Sequence, residues 1–165
     1  MDFRDLHKAC PKDNFLTPFI DHILDECMGS EVFSFMGGFL GYNQIQIKLE
    51  DRYKLTFICP WGTFSYRKMP FCLKNTVATF QRAMNFAFHD LKHIVEAYLD
   101  DIAAHSCKRV DHSSHLRLVF KRCCYYRIYL NPHKCIVCVS SSHILGFLVS
   151  DHGIIVNPMK VEAIL

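Results

Sequence analysis

The stretch HIVEAYLDDIAAHS, residues 93–106, places two adjacent carboxylates, Asp100 and Asp101, directly after an apolar run. Its flanks read as two strands, residues 94–98 and 102–105, with the acidic pair at the turn between them. Aspartate favours turns, so a solvated hairpin tip is one reading. Neighbouring carboxylates repel each other, and a cation held between them is the other reading. In two-metal phosphoryl transfer, paired divalent ions activate the attacking oxygen and stabilise the leaving one. Such a site calls for a third carboxylate elsewhere in the chain.

The 165 residues suffice for one domain with a sizeable core, and half of them are apolar or aromatic, with 14 phenylalanines. This composition excludes a disordered chain. The net charge of +3, from 19 basic and 16 acidic residues, permits a nucleic-acid partner without demanding one. No apolar run is long enough to cross a bilayer, so no membrane partner is expected. Nine cysteines, an odd number, follow a polar start without a secretory signal. They read as reduced, mostly buried thiols of an intracellular protein.

Working outward from the acidic pair, TPFIDHILDECMG (residues 17–29) has helix punctuation: Thr17 as cap, Pro18 in the first turn, Gly29 at the exit. Ile20, Ile23, Leu24 and Cys27 form its apolar stripe. Residues 32–36 and 43–48 read as strands, the second because Ile45 and Ile47 alternate with Gln44, Gln46 and Lys48. A hairpin is expected around Pro60-Trp61-Gly62. A helix is expected from Asn75 or Thr76 to about His93, with Val77, Phe80, Met84, Ala87 and Leu91 on one side. Asp111 is placed to cap another, carrying Leu116, Val119, Phe120 and Cys123. The C-terminal part is β-rich, with a turn at Asp151-His152-Gly153. Mixed, not strictly alternating elements argue for an α+β fold in one domain, residues 1–165.

Three further constellations could carry chemistry. Cys135 and Cys138, with His133 and His143 nearby, have one cysteine pair where structural zinc usually needs two, and they lie in a strand-like segment. Opposite faces of that strand, and core packing, are expected for them. His112 and His115, one helical turn apart, read as solvated helix histidines. The segment MPFCLKNTVATFQRAM (residues 69–84) enters a helix, where Lys74 and Arg82 could join the N-terminus in holding an anion such as phosphate.

Taken in order, these pieces resemble one family nearly end to end: the reverse transcriptase of gypsy-type LTR retrotransposons, particularly the plant elements. DFRDLHKACPKDNF matches the passage from fingers into palm, and FSFMGGFLGYNQI matches the first catalytic motif. FICPWGTFSYRKMPFCLKNTVATFQRAM matches the next block, and YLDD the polymerase signature. LNPHKC and ILGFLVS match the two motifs that follow. The resemblance implies a palm, an antiparallel sheet with helices on one face, plus partial fingers. It implies RNA-directed DNA synthesis with Mg²⁺ or Mn²⁺ on Asp100 and Asp101, acting on an RNA or DNA template–primer and a dNTP. Tyr42 falls at the family's sugar-discriminating aromatic, and Lys134 at a lysine placed near the departing pyrophosphate. Phe71, Cys72 and Gln81 fall at substrate-binding positions.

The resemblance also shows what is missing. The family's first motif has the form F-S-F-M-D-G-Y-S-G-Y-N-Q-I, and its catalytic Asp falls on Gly37. The family's Ser three residues later is Leu40, and the Gly of its M-P-F-G-L is Cys72, where a side chain replaces bare backbone. Val77 replaces a small residue or proline. The family's upstream triphosphate clamp, thumb, connection and RNase H regions lie outside the matched blocks. The expectation is therefore a degenerate, weakly metal-binding polymerase domain, with a non-catalytic nucleic-acid-binding or protein-interaction module as its rival. Loss of one ligand is expected to slow synthesis roughly a thousandfold or more. If the alignment holds, Gly37 lies within about 8 Å of Asp100, a carboxylate's reach plus a ligand distance.

Overall fold

The sequence VFSFMG forms a strand, β1 (Val32–Gly37), buried along almost its whole length. A strand covered on both faces must be paired on both edges, and β1 is one of two inner strands of a four-stranded antiparallel sheet. Its partners are β5 (Asp101–Ser106) and β6 (Ile136–Val139), and β4 (Val95–Tyr98) closes the far edge of β5. In this computed structural model residues 2–150 and 153–156 are described, the side chains of 142–144 excepted.

The pleat divides the sheet's residues between two cores. Met36, Ile102, Ala104, Val95 and Ala97 meet α3 (Thr76–Ala87) and α4 (His112–Tyr126) through Phe80, Met84, Ala87, Leu116, Val119 and Cys123. Phe33 and Ala103 point the other way, to Ile23, Leu24 and Cys27 of α2 (Ile20–Cys27) and to Val149. Val149 belongs to a separate three-stranded sheet, β7 (Ser141–Ile144), β8 (Phe147–Ser150) and β9 (Gly153–Val156). Gly37 and Asp101 lie on this second face, at the end away from Val32 and Ser106. A two-stranded hairpin, β2 (Thr56–Cys59) and β3 (Gly62–Ser65), carries the expected Pro60-Trp61 turn, with Gly62 at φ +137°. A short helix, α1 (Arg4–Ala9), completes the set. No helix among the described residues is long and apolar enough to cross a membrane.

Several expectations need correcting. Residues 43–48 are not a strand: Leu40 enters the left-handed region at φ 50° and starts a 3₁₀ turn, Gly41–Gln44. The Gln44 amide then donates to Phe39 O and Tyr129 O and accepts from Tyr129 N, stapling the loop in place of a ladder. The alternation survives, with Ile45 and Ile47 inward, but only the single bridge Gln46–Lys68 forms. Thr17 does not cap α2, which begins after Phe19, whereas Gly29 leaves it at φ +75° as expected. Asp111 precedes α4 without a capping hydrogen bond.

α3 stops at Ala87 rather than near His93, because Arg122 of α4 takes the Ala87 carbonyl and both oxygens of Asp90. The turn at Asp151-His152-Gly153 falls largely outside the described residues. The cysteines are less buried than expected: Cys27 and Cys123 are buried, while Cys72, Cys107, Cys124 and Cys138 are exposed. Cys135 precedes β6 and packs half-buried against the first core, as expected, whereas Cys138 is exposed at φ 58° where the β1–β6 register shifts.

His112 and His115 are not solvated helix histidines. His112 is buried, its Nε2 paired with Ser34 Oγ at 2.8 Å and its Nδ1 with Ser106 Oγ at 2.7 Å, and His115 Nδ1 shares Ser106. The imidazole thereby joins α4 to two strands. Lys74 and Arg82 do not form an anion site either. Lys74 donates to the carbonyls of His7 and Cys10, and Arg82 holds the Asp13 carboxylate while lying over the Phe15 ring.

Candidate active site

The acidic pair sits where the sheet geometry forces a tight reversal. Tyr98 pairs with Asp101, leaving Leu99 and Asp100 as the two loop residues, and Leu99 takes the positive φ (52°) that such hairpin turns require. A left-handed leucine costs on the order of 1 kcal/mol and persists only when its surroundings insist on it. Gln81, wholly buried on α3, supplies that insistence. Its Oε1 accepts from Leu99 N and its Nε2 donates to Ala97 O and Asn85 Oδ1, each at 2.8 Å. A side chain so enclosed holds the turn from behind.

β1 delivers its end to the same place. Gly37 stands directly across the ladder from Asp101, and Gly38 N–H donates to Asp100 O at 2.6 Å. The first-motif segment and the acidic turn thus adjoin, as the alignment requires. At Gly37 only backbone is offered, and the space a side chain would take is filled by Lys134, whose Cβ and Cδ would lie 2.8 and 2.9 Å from a Cβ built there.

Asp100 has a second glycine neighbour that sequence reasoning passed over. A Cβ on Gly41 would come within 1.8 Å of Asp100 Oδ1, so the carboxylate can occupy this position only because residue 41 has no side chain. Asp100 Oδ1 is buried without a hydrogen-bond partner. Dehydration pushes its pKa up, with the charge of Asp101 adding to the shift and Lys134 opposing it. Asp101 is shifted upward by dehydration too, again against Lys134. An orphaned carboxylate oxygen beside a second carboxylate is a donor set suited to a cation. The residues present fit a divalent ion held by Asp100 and Asp101. They do not fit a pair of ions bridged by three carboxylates, and among the described residues no three His, Cys, Asp or Glu side chains converge.

The remaining motif residues gather on one flank. The Tyr42 ring meets Phe71 and Phe80 edge-on, at centroid distances of 5.6 and 5.3 Å. Burial raises the Tyr42 hydroxyl pKa, and Asp100 contributes to the rise, so the ring lies close enough to feel that carboxylate. Phe71 is about half exposed, and the exposed Cys72 beside it adopts φ 68°, a conformation natural to the glycine of the family motif and strained for cysteine. The Tyr42 ring thus joins Phe71 on one side and feels Asp100 on the other, while Lys134 lies at Gly37.

Comparison with known proteins places this geometry. The family model described as reverse transcriptase (RNA-dependent DNA polymerase) matches residues 1–149. The Pol polyprotein of transposon 297 from Drosophila melanogaster is 34% identical over the whole chain, which spans 16% of that polyprotein. The Tf2-3 transposon polyprotein of Schizosaccharomyces pombe is 28% identical, with 12% of its length spanned. The fold superposes on foamy viral protease–reverse transcriptase solved with double-stranded DNA (TM-score 0.89, 18% identity) and with an RNA/DNA hybrid (TM-score 0.86, 18% identity). Each superposition covers 99% of this chain, and respectively 29% and 22% of the viral one. A turn bearing two aspartates beside the end of β1, in a chain matched by that family model from residue 1 to 149, makes this protein a member of the reverse transcriptase family.

Proposed function

We infer that this domain is built for template-directed nucleotidyl transfer, RNA-directed DNA synthesis, in the Pol polyprotein of a gypsy-type, plant-like retroelement, and that its site is degenerate. The observation that carries the reading is the partnerless, buried Asp100 Oδ1 beside Asp101, directly across from Gly37. Asp100 and Asp101 are the residues that would hold Mg²⁺ or Mn²⁺. Bound there, a divalent ion supplies Lewis-acid activation of a primer 3′-hydroxyl and charge stabilisation at the α-phosphate of a dNTP. Gln81 holds the turn that carries Asp100, and Gly41 leaves room for its carboxylate. Tyr42 presents an aromatic edge where a ring would exclude a 2′-hydroxyl, and Phe71 offers a nucleotide an apolar surface. The foamy viral relatives solved with nucleic-acid duplexes support a template–primer as the partner.

The rival, a non-catalytic nucleic-acid-binding or interaction module, is favoured by one observation: the Gly37 position is closed by the Lys134 stem, leaving no room for a third ligand. Primer extension on an RNA template with Mg²⁺ or Mn²⁺ separates the two. Weak synthesis abolished by Asp100→Asn supports a degenerate polymerase. Duplex binding without any Asp100-dependent extension supports the module.

A further inference from the structure

The Gly37 slot raises the question of what balances the charge of two neighbouring carboxylates when the ligand set is incomplete. We propose that Lys134 acts as an internal cation for the Asp100–Asp101 pair, with its stem seated in the Gly37 slot and its ammonium competing with a divalent ion for the carboxylates. This rests on the reading that these carboxylates are the metal ligands, and deepens it.

Residues directly paired across a ladder project their side chains to the same face, so the slot above Gly37 and the Asp101 carboxylate share a face of the sheet. Lys134 Cβ, Cγ and Cδ would all lie within 3.4 Å of a Cβ on Gly37, which means the stem runs through that slot rather than past it. The backbone that carries the stem is fixed beside Gly37. Lys134 N donates to Asn131 O at 2.9 Å, and Asn131 N donates to the carbonyl of Gly37 itself at 2.8 Å. The Asn131 side chain also accepts from His133 N, closing the 3₁₀ turn Pro132–Lys134 that carries the lysine. The lysine is thus tethered through Asn131 to the glycine it covers. Its charge opposes the upward shift of both carboxylates without a direct ion pair among the described residues, the behaviour of a counter-charge acting across a short gap. A divalent ion entering between the carboxylates meets this positive charge at a range where solvent screens only part of the repulsion.

Two consequences distinguish an internal cation from a bystander. Removing the charge while keeping the stem strengthens metal binding. Restoring a carboxylate at residue 37 achieves little while the stem remains. The probe is Mn²⁺ alone, with free ion measured by electron paramagnetic resonance as it is titrated into the full chain. Lys134→Met is expected to bind Mn²⁺ about tenfold tighter than the unmodified chain. Lys134→Gln, which retains polarity, is expected to do the same, so poor folding of one variant does not decide the outcome. Gly37→Asp alone is expected to gain less than Gly37→Asp combined with Lys134→Ala, by more than the two single changes add up to. Unchanged Mn²⁺ affinity in both Lys134→Met and Lys134→Gln overturns the proposal while leaving the metal site standing. Mn²⁺ binding that Asp100→Asn and Asp101→Asn do not weaken overturns the metal reading, and the proposal with it.

Discussion

Replacing Gln81 by leucine tests the claim that the acidic turn is held from behind. Leucine nearly fills the glutamine's volume, so the change removes polar contacts with little cavity. Three hydrogen bonds vanish: from Leu99 N, to Ala97 O and to Asn85 Oδ1. Asn85 reaches water and recovers most of its loss. The backbone groups of Ala97 and Leu99 lie against the buried Gln81 site, and an orphaned buried backbone group costs about 1–3 kcal/mol. The expected loss is therefore about 2–6 kcal/mol, a large part of the stability of a domain this size. Urea unfolding followed by far-ultraviolet circular dichroism measures it, and amide exchange at Leu99 shows whether the turn itself has loosened.

Gln81→Glu is the sharper variant. One glutamate oxygen can still accept from Leu99 N, but the other faces the Ala97 carbonyl and must be protonated to donate. The folded-state pKa of that glutamate is raised, so its stabilisation is present at low pH and lost as pH rises through the folded pKa. A loss below about 1 kcal/mol in Gln81→Leu, with Leu99 exchange unchanged, would refute the idea that these bonds hold the turn.

Two further outcomes follow from burial. His105 is 4% exposed, with Nε2 partnerless and Nδ1 on Ser30 Oγ, and burial pushes its pKa down to about 4 against a weaker opposing pull from Glu26. A depressed folded pKa means stability is complete above the unfolded value near 6.5 and is lost as pH falls toward 4, by about 3 kcal/mol at most. The raised carboxyls of Asp100, Asp101 and Glu96 act in the opposite sense at the acid end of that window. The urea midpoint is expected to drop between pH 7 and pH 5, less so in His105→Gln, and an equal slope in both would contradict the assignment. Among the thiols, Cys72, Cys107, Cys124 and Cys138 are expected to react promptly with an aromatic disulfide reagent. Cys27 and Cys123, whose thiols burial raises to about 12 and about 11, react only on unfolding. Prompt native-state reaction of Cys27 or Cys123 would count against the core described above.

Local pattern was legible in the sequence wherever one face of an element decides its burial. The stripe Ile20, Ile23, Leu24, Cys27 and the strands around the acidic pair were readable because hydrophobic periodicity alone sets them. The Pro60-Trp61-Gly62 reversal was readable from turn chemistry. Residues 43–48 deceived because alternation also describes an extended loop, and the side chain that settles the matter, Gln44, bonds to a segment 85 residues away. Arg82 and Lys74 looked free for an anion because their partners, Asp13 and the carbonyls of His7 and Cys10, lie more than 60 residues upstream. The helical histidines misled for the same reason, since Ser34 is 78 residues before His112. At the site, ordered motifs brought Gly37, Asp100 and Lys134 to one neighbourhood. The need for Gly41 was invisible, because it depends on a close atomic approach that spacing does not encode.

The β2–β3 hairpin sets how this protein reports on itself in a spectrometer. Its tip carries the chain's single tryptophan, Trp61, which is 86% exposed. An indole already surrounded by water emits in the native state much as it does in the unfolded one. Intrinsic fluorescence excited at the red edge is therefore nearly blind to melting of the palm sheet, whose aromatics are phenylalanine and tyrosine. The same indole is well placed to be quenched by an aqueous quencher or by anything that settles on the hairpin. A flat tryptophan signal across a denaturation that dichroism records as cooperative is the expected signature of this fold.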